Sequence, residues 1–137
     1  MIKRRKLKGG ARAWTKRIDK EFHLWIRLRD TNAEGYGECC SCKKPIHFDE
    51  SNAGHLFSRI YKNTRWNPEN VNLQCIYCNQ WLEGNAYLYA KNIGFKKADK
   101  LEKLSKIKVT FTDEEYADIY YMYKQLILDE EKSKSFR

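Results

Sequence analysis

Apolar residues recur at helical spacing through Trp14, Ile18, Phe22, Trp25 and Ile26, with the aliphatic stem of Arg29 in line. This pattern predicts an amphipathic helix over residues 14 to 30. Its polar face carries Lys16, Arg17, Lys20 and Arg27. Residues 1 to 12 lack an apolar period and read as a flexible arm. Asn32, Gly35 and Gly37 mark residues 31 to 38 as a loop. Ile46 to Phe48 and Ala53 to Phe57 are candidate short strands, followed by a long connection through Asn67, Pro68 and Asn70.

The second half is more helical. A helix is expected from Asn79 to Asn92, stopped by Gly94. Gly84 inside it costs about 1 kcal/mol against alanine and is read as a place where another group approaches the backbone. A lysine-rich helix follows from Lys96 to Ser105. Thr112 and Glu115 have capping-box spacing, and Tyr116, Ile119, Tyr120, Tyr123, Leu126 and Ile127 supply the apolar face of a last helix. The pattern is that of a small α+β protein without internal repeats. Residues 1–13 form a basic arm, 14–94 a helix plus a central core, and 95–137 a C-terminal helical extension.

Composition sharpens this picture. A chain of 137 residues has room for one compact domain. With 33% charged residues and a mean hydropathy of −0.82, its core must be small and in want of a staple. Twenty-seven Lys and Arg against 18 Asp and Glu give a net charge of +9, which favours a polyanionic partner, nucleic acid first. Lys3, Arg4, Arg5, Lys6 and Lys8 in the arm, and Arg59, Lys62 and Arg65 in the middle, are the candidate phosphate contacts. Tyr61 and Trp66 interleave with the second group, and Trp66 is expected in the core. Residues 113–131 carry seven acids and only Lys124 as a base, so that end should repel phosphates. No apolar run approaches the roughly 20 residues of a membrane span. The basic start leads into Gly9, Gly10 and Arg12 instead of an apolar stretch, so neither export nor membrane attachment is expected, and the cytoplasm is the expected location.

Four of the five cysteines fall in two Cys-x-x-Cys pairs, Cys39 with Cys42 and Cys75 with Cys78. Each pair can offer two thiolates from a tight turn, and together they make the tetrahedral four-sulfur shell that Zn2+ accepts. Two disulfides or a redox motif are the alternatives, and a cytosolic setting disfavours the first. A structural zinc contributes roughly 10 to 16 kcal/mol of apparent binding free energy, against about 5 to 15 kcal/mol of net stability for a domain. The metal should therefore decide whether the middle of the chain folds. Cys40 has the wrong spacing for a ligand.

Around these pairs stand Ala53-Gly54-His55, Arg59, Gln74-Cys75-x-x-Cys78-Asn79, and Gly84-Asn85 with Tyr89. This string resembles zinc-containing HNH endonucleases and, more closely, the NinG family of phage recombination proteins, over about Phe22 to Gly94. The resemblance implies a zinc-stapled HNH core of the ββα-metal or treble-clef-like kind with flanking helices. It also implies a structure-specific endonuclease that cuts branched recombination intermediates such as Holliday junctions. By the resemblance His55 is the general base, suited to the task by a reference pKa of about 6.5. Asn72 holds the two-strand element and, through it, the ring of His55. Asn79 is a ligand of a catalytic ion, Mg2+ or Mn2+, with a helix N-terminus beside the phosphate.

The chain departs from the usual HNH pattern where Gly54 stands in place of an acid before the histidine. Asp49, Glu50, Asn52 and Glu83 are the remaining oxygen donors, and Glu83, four residues after Asn79, is expected on the same helix face. Asn79 as a plain helix cap is the simpler reading of that residue. Two other functions compete: a zinc-finger DNA-binding protein without catalysis, and a protein-interaction adaptor with an acidic last helix. Candidate partners are branched DNA, a second copy of the chain and a recombination protein.

Overall fold

The computed structural model describes residues 2–134. Met1 and residues 135–137, the outer ends of the predicted arm and C-terminal extension, lie outside the described residues. The first helix, α1, spans Ala11–Arg29 and buries Trp14, Ile18, Phe22, Trp25, Ile26 and Leu28, the stripe its periodicity marks. The last helix, α5, spans Asp113–Ser133 and begins with the Thr112/Glu115 capping box formed in both directions. These two helices pack on each other through aromatic rings: Trp14 stacks on Tyr116 at 6.3 Å, and Phe22 meets Tyr123 at 4.7 Å. Trp66 is buried in the same core, as expected, and its main-chain oxygen accepts a hydrogen bond from the Tyr123 hydroxyl at 2.7 Å. Each such side chain contributes about 1.5 to 3 kcal/mol by leaving water, so this core has a driving force independent of any metal.

Between the two helices the chain forms two small antiparallel sheets. Strand β1, Tyr36–Glu38, pairs with β2, Pro45–His47; β3, Ser51–His55, pairs with β4, Val71–Cys75. β1 falls in a stretch expected to be loop, because three residues carry no readable period and become a strand only against their partner. Phe48 leaves its expected strand to open a 3-10 turn, Phe48–Glu50, and β3 starts two residues earlier than expected. β4 was hidden in the expected connection, although Val71, Leu73 and Cys75 alternate with polar residues. A short helix, α2 at Lys62–Arg65, lies in the segment linking β3 to β4.

The expected helix from Asn79 to Asn92 is two pieces. A single π-helical turn, Tyr77–Trp81, is followed by three consecutive residues at positive φ, Glu83 (50°), Gly84 (94°) and Asn85 (44°). Only then does α3 run, over Ala86–Ile93. Left-handed backbone cannot continue a right-handed helix. A Cβ on Gly84 would meet nothing, so this glycine serves its own φ and not a close neighbour. Helix α4, Phe95–Ser105, agrees with the lysine-rich pattern.

The basic arm lies along the acidic α5. Arg4 pairs with Asp118 at 2.8 Å, and the Tyr121 hydroxyl both accepts from Arg5 N (2.8 Å) and donates to Arg5 O (3.1 Å). Such an exposed ion pair stabilises by about 0 to 1 kcal/mol, so the arm's charge is only lightly engaged. Among the described residues, no helix is long and apolar enough to cross a membrane.

Candidate functional site

The four paired cysteines converge. Their sulfur atoms all lie within 4.8 Å of one another, and Cys42 Sγ stands 3.8 Å from Cys75 Sγ. A tetrahedron with metal–sulfur bonds of about 2.3 Å has sulfurs about 3.8 Å apart, so the four thiols could hold one metal ion such as zinc. Burial alone would raise the Cys39 thiol, but main-chain N–H groups of residues 75, 42 and 41 outweigh it and bring it down to about 7. This four-cysteine knuckle, residues 39–42 and 75–78, has its own small core, in which Ile46 and Leu73 are the apolar companions of the buried cysteines. Two aliphatic side chains give this region little apolar core of its own, so an ion held by the four thiols would add stability where it is needed. Cys40 stands apart: its thiol is pushed up to about 12, chiefly by burial.

Beside the knuckle opens a cleft of about 450 Å³, and it gathers residues from three regions of the chain. His23 and Arg27 come from α1, Asn52 and His55 from β3, and Asn79 and Glu83 from the segment after the knuckle. His55 Nε2 lies 2.9 Å from the main-chain oxygen of Arg65. A carbonyl only accepts, so Nε2 carries the proton and Nδ1 of the neutral ring keeps the lone pair. The His55 pKa is lowered to about 4, mainly by burial, with the neighbouring His23 and Arg59 adding to the shift. The ring is therefore neutral, and less basic than an ordinary imidazole.

His23 is a cleft residue that the sequence analysis missed. Its ring lies 5.4 Å from that of His55 at 78°, and its Nε2 is buried with no hydrogen-bond partner among the described residues. Burial lowers its pKa as well. Asp19, His23 and Arg27 follow one another at four-residue spacing along α1, and that polar line beside the apolar stripe was the available signal. Asp19 anchors the wall behind it, accepting from Arg65 at 2.6 and 3.1 Å and from Trp66 Nε1 at 2.8 Å.

Asn72 makes no hydrogen bond to His55 among the described residues. Its amide donates to the Tyr89 hydroxyl (3.1 Å) and accepts from Arg29 (3.2 Å); Tyr89 in turn donates to Gly54 O at 2.7 Å, so Asn72 braces β3 and β4 through Tyr89. The asparagine that holds the loop carrying Arg65 is Asn70. Fully buried, it accepts from Phe57 N (2.9 Å) and donates to Phe57 O (3.0 Å) and Thr64 O (3.1 Å). The sequence shows two asparagines, Asn70 and Asn72, on either side of Val71, and only the hydrogen bonds tell them apart.

Asn79 and Glu83 both line the cleft, but not as neighbours on one helix face, since the helical turn ends before Glu83. Asn79 sits inside that turn and caps nothing; the residue before α3 is Asn85, whose amide reaches Cys78 Sγ at 3.5 Å. No helix N-terminus of useful length points from Asn79. Asn52 reaches the cleft, whereas Asp49 and Glu50 line a separate hollow with His47. An acid at position 54 would crowd Gln74: a Cβ there would lie 1.9 Å from Gln74 Oε1 and 2.9 Å from Gln74 Cβ, so the glutamine would have to move. Among the described residues, no second group of three or more histidine, cysteine or acidic ligands gathers.

Of the candidate phosphate contacts in the middle, Arg59 faces the cleft with its side chain 56% exposed and one guanidinium nitrogen 3.6 Å from the Asp19 carboxylate. Arg65 is held by Asp19, and Lys62 donates to the Tyr116 hydroxyl, so both also serve the fold. Lys3, Arg4, Arg5 and Lys6 are exposed.

The chain matches the family model described as NinG, Bacteriophage Lambda NinG protein, over residues 1–133, a wider span than the Phe22 to Gly94 of the motif likeness. It is 30% identical over 127 residues to "Protein ninG" of Salmonella phage P22, covering 89% of this chain and 60% of that protein. Against "Protein ninG" of Escherichia phage lambda the identity is again 30% over 127 residues, covering 89% of this chain and 59% of that one. The chain thus spans about 60% of the length of these curated relatives. No solved structure matches it. The family match along nearly the whole chain, with two relatives at this identity, establishes that the chain belongs to the NinG family of bacteriophage proteins.

Proposed function

We propose that this chain is a metal-dependent endonuclease of the HNH type that hydrolyses phosphodiester bonds in branched DNA, Holliday junctions among its substrates. The observation that carries the reading is the one hydrogen bond of His55, Nε2–H on Arg65 O, which leaves the lone pair of a neutral ring on Nδ1 beside a cleft walled by Arg27 and Arg59. The order β3, β4, knuckle, α3 supports the ββα-metal, treble-clef-like description.

In the proposed reaction Nδ1 of His55 takes a proton from water as the water oxygen bonds to phosphorus, and the bond from phosphorus to the leaving oxygen breaks. Arg59 binds non-bridging oxygens from its exposed position. Arg27, anchored on Ser51 and Phe48 O, adds fixed positive charge to the wall. The Asn79 and Asn52 amide oxygens and the Glu83 carboxylate are hard donors of the kind Mg2+ or Mn2+ takes, with water and phosphate completing the shell. An ion held there would neutralise the phosphate and stabilise the leaving oxygen.

Incubation of zinc-loaded protein with a labelled four-way junction, with and without Mg2+ or Mn2+, tests the proposal. Metal-dependent cleavage by the wild type and its loss in His55→Ala are expected. Binding without cleavage under every metal condition would instead favour the zinc-finger DNA-binding function.

A further inference from the structure

We propose that the free edge of β3 binds phosphate: the main-chain N–H groups of Ala53 and His55 donate to phosphate oxygens of the nucleic-acid strand, and the His55 N–H holds the phosphate that is cut. This rests on the cleft being a nuclease site, as proposed above, and deepens that reading by naming the donors that seat the substrate beside the base.

In an antiparallel pair, residues that exchange main-chain hydrogen bonds with the partner strand alternate with residues whose N–H and C=O turn away from it. Hydrogen bonds on both strands fix which is which here. Leu56 N donates to Asn70 O (2.9 Å), in the register that opposes Gly54 to Asn72 and Asn52 to Gln74, so Asn52 and Gly54 carry the ladder. The alternate residues of β4 turn away from β3: Leu73 N donates to Asp30 (3.0 Å), Leu73 O accepts from Cys40 N (2.9 Å), and Val71 O accepts from Arg29 (3.0 Å). Their opposed residues on β3, Ala53 and His55, therefore turn N–H and C=O to the outer edge. No second strand pairs with β3 there, and among the described residues neither N–H has an acceptor.

The cleft runs along that edge. Ser51, Asn52, Ala53 and His55 line it, and no described residue of β4 does. Two N–H groups left open on a strand edge call for a ligand that accepts. The walls set the guanidinium groups of Arg27 and Arg59 against the one carboxylate of Glu83, and the two imidazoles, their pKa values lowered by burial, add no charge. A peptide strand would satisfy the edge but brings no charge to answer the arginines; a phosphodiester does both. The Ala53 carbonyl between the two donors faces the same way, so phosphates meet the edge at its N–H groups and leave that oxygen to water or a cation. Covalent structure supplies a further argument. The His55 nitrogen and its Nδ1 are joined through Cα, Cβ and Cγ of one residue, so a phosphate held on the N–H is close to the atom that takes the proton from water. Donors fixed in a sheet need no ordering when the substrate arrives.

Two measurements test the edge. In the first, isotopically labelled, zinc-loaded wild type is titrated with a four-way junction without Mg2+ or Mn2+, and amide shifts and hydrogen exchange are read by NMR. The Ala53 and His55 amides are expected to shift downfield and to exchange more slowly in the complex. In the second, chemical ligation at Ser41–Cys42 and Gln74–Cys75 gives the full chain with residues 42–74 made by synthesis. An ester in place of the Gly54–His55 amide removes the His55 N–H and keeps the imidazole, and an all-amide ligated chain is the control. With zinc content and circular dichroism as in the control, kcat/KM for cleavage should fall about 10- to 100-fold, the worth of one hydrogen bond to a charged group. Should the ester chain fail to fold, the amide shifts decide alone. Amides of Ala53 and His55 that stay unmoved while the junction binds would overturn the edge, as would a folded ester chain that cuts at the control rate. Protection of both amides in the free protein, with a dimer seen by sedimentation, would assign the edge to a second copy and likewise overturn it. Because the shifts are read without cleavage, a protein whose edge amides take up the junction but which never cuts it keeps the edge and loses the nuclease proposal. One that cuts with both amides unmoved keeps the nuclease and loses the edge.

Discussion

The His55 ring hangs on the main-chain oxygen of Arg65 at 2.9 Å, and the Arg65 guanidinium is itself clamped by Asp19. One residue thus fixes the tautomer of the imidazole through its backbone and the position of that backbone through its side chain. The burial that comes with this arrangement keeps the ring neutral.

His55→Ala is expected to lower junction cleavage by about 100- to 10,000-fold, with zinc content unchanged and junction affinity within a few-fold. In the wild type the acidic limb of kcat/KM, which reports the free protein, should lie near the ring's pKa of about 4. Cleavage at near wild-type rate in the variant would remove His55 as the base.

The same ring predicts a dependence of stability on acid. Its pKa is about 4 when folded and about 6.5 when unfolded, so the unfolded chain binds the extra proton between these values. Its contribution is fully present above pH of about 6.5 and is lost as pH falls toward about 4, by up to about 3 kcal/mol. His23, lowered for the same reason, acts in the same direction. Urea denaturation across this range should show a shallower loss in His55→Asn than in the wild type.

Asn70→Ala should cost about 2 to 4 kcal/mol and disorder the loop that carries Arg65, because it removes three hydrogen bonds from a fully buried amide. Asn72→Ala, which removes one contact to Tyr89 and one to Arg29, should cost less. Denaturant midpoints of the two variants, measured side by side, check the order.

Gly54→Ala should destabilise by about 1 to 3 kcal/mol through overpacking against the Gln74 side chain. Adding Gln74→Ser should recover part of that loss, since the clash is with the end of the glutamine. A purely additive double mutant in thermal melts would contradict the steric account.

Cys75→Ser should bind less than one zinc per chain and lose the fold of residues 36–85 first. The α1 and α5 packing has its own aromatic core, so helical circular dichroism should outlast the loss. Metal analysis of folded wild type that finds no zinc would remove the metal centre.

Some of this was legible along the chain because its physics is local or chemically specific. The apolar stripe of α1, the Thr112/Glu115 cap and the basic and acidic ends depend on residues a turn or so apart. Two Cys-x-x-Cys pairs point to one shared site because each brings two thiols together in a tight turn, and the four sulfurs do converge. His55 was singled out by its neighbours in sequence, and it lines the cleft.

Packing over long separations decided the rest. His23 meets His55 across 32 positions only because α1 lies on β3. Asn70, and not Asn72, holds the Arg65 loop because it stands at the end of that loop, just before β4, while Asn72 inside the strand reaches Tyr89. The break at Glu83, Gly84 and Asn85 follows from hydrogen bonds to Cys78 and Gln74 that override a helical pattern. Periodicity records which face of an element is apolar, but a cleft is made where polar residues of separate elements meet, and that meeting is set by how the buried faces stack.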